Sequence, residues 1–177
     1  MKKILLIILF PIVAVLLCIL LFNDPYMSQA EKHAKSILGR TAKIIEKKYG
    51  LQPSGSGLAM PGGNLKEFML SFDTKKEFTK EEIRMLLIEC ANEMLEQINT
   101  DQEIRIAMVT YPFTEKNVDL IIYNYDQNRR TPGDPQIATA RLSGGTLKYH
   151  TVEKGTVYPY INTDSETYQQ ALQAIQQ

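Results

Sequence analysis

The chain has 177 residues, and its 20 Lys and Arg balance 20 Asp and Glu to give no net charge. That balance excludes the basic excess or stripe on which nucleic-acid binding depends. Two cysteines far apart in sequence exclude a disulfide framework, and two histidines with no spaced Cys or acidic partners leave no metal signature.

Met1-Lys2-Lys3 precedes an unbroken apolar run over residues 4–22. A run of this length crosses a bilayer as one helix, since ~20 apolar residues span ~30 Å of hydrocarbon. A secretory signal peptide carries a shorter apolar stretch followed by a small-x-small cleavage site. The one tolerable site here, Ser28-Gln29-Ala30, lies well past the run and inside a helix-start signal. The expectation is therefore an uncleaved, single-pass signal anchor whose partner is the lipid bilayer. A secreted product cut near Ala30 is the alternative. Cys18 follows Leu17, where lipidation wants a small residue, so a lipoprotein reading fails and the thiol faces lipid. Pro11 interrupts the run with a kink that membrane helices tolerate. Lys2 and Lys3 on one side, against Asn23-Asp24-Pro25 on the other, put the N-terminus in the cytoplasm and the domain outside.

After a break at residues 23–27, an amphipathic helix is expected over 28–50. Ser28 and Glu31 form a capping box, an apolar stripe runs from Ala30 to Tyr49, and Gly50 stops it. Residues 51–64 read as a loop or linker, because Pro53, Pro61 and glycines at Gly55, Gly57, Gly62 and Gly63 disfavour both helix and strand. An α+β domain follows over 65–177. It opens with a strand over 65–73 and a helix behind the capping box Thr79–Glu82. In that helix Ile83, Leu86, Leu87, Cys90, Ala91, Met94, Leu95 and Ile98 keep helical spacing. Cys90 sits on this apolar face as a small core residue.

Strands are predicted over 103–111, 117–126, 136–142 and 147–152, with a short edge piece at 156–160. The box Thr163–Glu166 would open a C-terminal helix. The fold class is thus α+β: a transmembrane helix, then one domain with a mainly antiparallel sheet of about four or five strands packed with helices. The order is helix, strand, helix, strand meander, helix.

No motif is specific enough to assign a family or a cofactor. Gly57 to Gly62 has Walker spacing, but Gly63 and Asn64 stand where Lys and Ser or Thr belong. Asp126-Gln127-Asn128 begins like a calcium loop, then meets Arg130 and Thr131 instead of ligands; Asp134 is expected to pair with Arg129 or Arg130. No serine has a nucleophile setting, and the helical carboxylates Glu82, Glu89, Glu93 and Glu96 read as a solvated face. His150 beside Lys148 reads as a hydrogen-bonded strand residue.

The strongest binding signal is alternation. Val118, Leu120 and Ile122 face one way, while Asp119, Ile121, Tyr123 and Tyr125 face the other. Arg105, Val109 and Tyr111 on the preceding strand and Arg141 on the next would share that second face, making a tyrosine–arginine surface of the kind interfaces enrich. The bland alternative is that the helix over 28–49 buries this face. Arg129 and Arg130 on a loop tip are a second candidate contact. The composite expectation is a membrane-anchored, extracytoplasmic binding or assembly domain, with a protein or cell-envelope partner, no nucleic acid and no cofactor. The alternatives are an envelope hydrolase whose site is dispersed in sequence and a secreted binding protein.

Overall fold

A computed structural model describes residues 28–126 and 128–176. The expected membrane segment at 4–22 and the break at 23–27 lie outside these residues. Among the described residues no helix is long and apolar enough to cross a membrane.

The first helix, α1 (Gln29–Tyr49), begins where Ser28 Oγ accepts the Glu31 amide at 3.1 Å. It ends at Gly50, whose left-handed φ of 71° lets its amide close on the Glu46 carbonyl at 2.9 Å. The second, α2 (Lys80–Asn99), carries the full reciprocal box: Thr79 Oγ1 accepts from the Glu82 amide, and Glu82 Oε2 accepts from the Thr79 amide. A short third helix, α3 (Tyr168–Ala174), docks on α2 through the Tyr168 hydroxyl, which donates to Asn92 Oδ1 at 2.8 Å.

Among the described residues the sheet has six strands in chain order: β1 (Gln52–Ala59), β2 (Glu67–Thr74), β3 (Val118–Asn124), β4 (Thr139–Ser143), β5 (Thr146–Val152) and β6 (Tyr160–Thr167). Every neighbouring pair is antiparallel except β2 and β3, which run parallel because α2 carries the chain back between them. The result is an α+β domain with a mostly antiparallel sheet.

Three expectations are corrected. The Gly/Pro-rich stretch is largely strand β1, paired with β2 from Gln52↔Asp73 to Ala59↔Glu67. Its glycines allow close approach. A Cβ on Gly55 would lie 2.7 Å from Ser71 Oγ, and one on Gly57 2.9 Å from the Met69 methyl. Pro53 is accommodated because β1 is an edge strand with a bulge between Pro53 and Gly55.

Residues 103–111 form no strand. The Asp101 carboxylate accepts the amides of Glu103 and Ile104, each at 3.1 Å, and this Asx-type cap starts a 3-10 turn (Ile104–Ala107). Only Met108 bridges to Leu65. Burial alone would push the Asp101 carboxyl up, but hydrogen bonds from His33, the Ile104 amide and Arg40 hold it below the usual carboxylate range.

The third correction concerns residues 163–166, which lie inside β6 rather than capping a helix. Asp164 and Glu166 turn toward α2 and pair there with Lys80 and Arg84, four residues apart on one helix face. Those long-range ion pairs outweigh the local cap. The true capping box is Thr167 with Gln170.

The core lies between one sheet face and the helices. Phe68, Leu70, Phe72, Val118, Leu120, Ile122, Ala140, Leu142, Leu147 and Tyr149 project from the sheet. Ala34, Ile37, Leu38 and Ile45 of α1 and Ile83, Leu87, Ile88, Cys90 and Met94 of α2 meet them. Both long helices therefore cover the same face. Cys90 is fully buried, and burial with Glu89 and Glu93 nearby pushes its thiol well up, so it is an inert core residue.

Candidate functional site

Because α1 and α2 share one face, the other face of the sheet carries no helix among the described residues. Strand alternation fixes what it presents: Met69, Ser71 and Asp73 from β2; Asp119, Ile121 and Tyr123 from β3; Thr139, Arg141 and Ser143 from β4; Thr146, Lys148 and His150 from β5. A groove of about 470 Å³ runs across β3, β4 and β5, lined by Ile121, Tyr123, Arg141, Lys148, His150 and Tyr160 among others.

Register brings the polar groups together. Arg141 stands opposite Ile121 on one side and Lys148 on the other, and Thr139 stands opposite Tyr123 and His150. Two cations directly across a strand pair repel. Asp119 relieves this by taking Arg141 in a two-pronged grip: Nε donates at 2.9 Å to Oδ1, and a terminal N–H closes on Oδ2. Asp119 is nearly buried, and its charge supports the guanidinium and holds it across the sheet. Lys148 has no ion pair among the described residues, so the groove keeps one uncompensated cation. Burial, and then the neighbouring Asp119 charge, push the Glu67 carboxyl up at the near end of this face.

Aromatic planes close the other side. The His150 ring stacks on Tyr160, centroids 3.9 Å apart and 11° from parallel, and Tyr158 packs edge-on against Tyr160. His150 Nδ1 lies 2.9 Å from Thr163 Oγ1. A hydroxyl held by an imidazole is the first half of a nucleophile arrangement. No carboxylate meets the other ring nitrogen among the described residues, so the contact fixes the ring rather than relaying a proton.

Burial first, and then the Lys148 and Arg141 charges, hold His150 below its ordinary value of 6.5. Folding thus favours its neutral form. The stability this confers is present above pH 6.5 and is lost as pH falls through the lower folded value. Replacing His150 with Gln is expected to flatten the decline of melting temperature just below pH 6.5. An unchanged slope would contradict the assignment.

The structure brings only some of the expected surface together. Tyr123 and Arg141 line the groove. Tyr125 lies past the end of β3, its amide bonded to the Thr74 carbonyl and its half-buried ring near Asp73. Arg129, with φ of 60°, reaches back to Asp73 at 3.4 Å, and Arg130 is exposed beside it. The Asp126 carboxylate is spent on the amides of Asn128 and Arg130, each at 2.8 Å, which is loop capping rather than cation binding. Asp134 pairs with neither arginine; it accepts from the Thr151 hydroxyl at 2.7 Å and the Asn162 amide at 2.9 Å. Arg105 and Tyr111 are off the sheet altogether, stacked on each other at 4.1 Å in the loop after α2.

Lys148, His150 and Tyr160 were not foreseen as site residues. Alternation along 147–152 was readable, but only the β4–β5 register sets Lys148 against Arg141. Comparison with protein-family models, curated proteins and solved structures finds no match.

Proposed function

We propose that this chain is a non-enzymatic binding or assembly domain, tethered to a membrane by residues 4–22 and displayed outside the cytoplasm. It captures a protein or cell-envelope component on the face of its sheet opposite α1 and α2. One observation carries this reading: both long helices pack on the same face, leaving Tyr123, Arg141, Lys148, His150 and Tyr160 around an open groove. A free cation, a clamped guanidinium and flat aromatic planes suit a partner that offers carboxylate or phosphate beside a planar or apolar surface. Tethering raises local concentration, so a weak contact suffices.

The test is capture of the full-length chain from its own membrane, comparing the natural protein with Lys148→Glu and Tyr123→Ser. Charge reversal at a contact of this kind is expected to lower recovery of a specific partner at least about tenfold, equivalent to about 1.4 kcal/mol. Melting temperature should hold nearly steady in both variants. Unaltered recovery from either stable variant would overturn the reading.

A further inference from the structure

Three exposed apolar side chains lie between residues 106 and 111, in the segment that follows α2, with the first of them beside the start of α1. Ile106 is 91% exposed, Val109 53% and Tyr111 43%. Exposure of this degree is ordinary for a lone residue but informative in a contiguous patch. Arg105 lies over the Tyr111 ring, and the Tyr111 hydroxyl donates to the Asn99 carbonyl, so the aromatic is held in place. Ile106 shares a shallow groove with Gln29, Ala30 and Lys32 in the first turn of α1. The acidic neighbour Glu103 is turned to His33 Nδ1 at 3.6 Å.

The position of this patch identifies what covers it. Residues 23–28 separate the apolar run from α1, and even fully extended they reach no more than about 22 Å. If residues 4–22 lie in lipid, the first turn of α1 is held close to the bilayer surface, and Ile106 lies beside that turn. The opposite end of the sheet points away. β2 starts next to the Leu65–Met108 bridge and ends at Thr74, where Asp73 receives Arg129. Those eight residues put about 26 Å between the patch and the 126–130 loop.

We propose that Ile106, Val109, Tyr111 and Arg105 form a second contact with lipid, seated in the headgroup interface and fixing how the domain stands on its membrane. An aliphatic tip, a tyrosine and flanking Arg105 and Lys32 are the side chains that interface favours. The proposal rests on the tether reading above. It differs from the sheet-face reading, which concerns another surface.

The chain contains no tryptophan, so an introduced one reports alone. The full-length chain carrying Ile106→Trp is reconstituted into vesicles of phosphatidylglycerol and brominated phosphatidylcholine, with Arg130→Trp as the distal control. Seating ~5–10 Å into the headgroup boundary is expected to quench Trp emission at position 106 at least about twofold and shift it to the blue. Emission at position 130 should match that in unbrominated vesicles. Val109→Trp repeats the measurement should position 106 disturb the turn. Unquenched emission at both 106 and 109 in protein that floats with the vesicles would overturn the contact while leaving the tether intact. Equal quenching at 106 and 130 would overturn the fixed stance. Protein that stays out of the vesicle fraction without detergent would overturn the tether and the contact together.

Discussion

Replacing Glu166 with alanine is expected to lower stability by about 3 kcal/mol, the range seen when one partner of a buried ion pair is removed. Glu166 Oε1 accepts from Arg84 Nε at 2.8 Å and from the Tyr149 hydroxyl at 2.6 Å. The Arg84 side chain is 10% exposed and that of Glu166 13%. Removing the carboxylate therefore strands a guanidinium between α2 and the sheet and leaves a buried phenol without its acceptor. The melting temperature should fall by roughly 6–12 °C for a chain of this size. The sharper result comes from a pair. Glu166→Gln keeps an acceptor for Tyr149 but leaves Arg84 unpaired. Combining it with Arg84→Leu removes the orphan charge and should recover all but about 1 kcal/mol. Thermal melts of the three variants check this, and a double variant no better than the single would show that the charge is not the cause.

Ile37→Ala is expected to cost about 2–5 kcal/mol, because it opens a cavity in α1 where that helix meets the common core. Tyr123→Ser, on the other face of β3, should cost less than about 1 kcal/mol, within the range of surface substitutions. The contrast decides between two packings of one sequence. Had α1 covered the tyrosine face, Tyr123 would be a core residue and its truncation would rank with that of Ile37. Urea titration of both variants gives the ranking directly, and comparable losses would place α1 on the wrong side.

Much of this architecture was readable residue by residue. The stripes of α1 and α2 follow the helical period, and β2, β3 and β5 alternate cleanly. Their faces could therefore be assigned, and Tyr123 and Arg141 placed together. What escaped was decided at long range. Asp164 and Glu166 look like helix-cap acids until Lys80 and Arg84 are placed across from them. β1 looks like a linker until Ser71 and Met69 are seen to need its missing side chains. Residues 103–111 have the composition of a strand, but a single carboxylate, Asp101, turns them into a cap. That error carried Arg105 and Tyr111 onto the wrong surface. It also concealed the parallel β2–β3 pairing, since a strand between α2 and β3 would have occupied the crossover.

The sealing of Cys90 gives the molecule an internal clock. Solvent reaches that sulfur only when α2 lifts from the sheet, so the rate at which an alkylating reagent marks it counts openings of the helix layer. A chain held in detergent or lipid, where heating seldom gives a reversible curve, can still be timed this way at a single temperature.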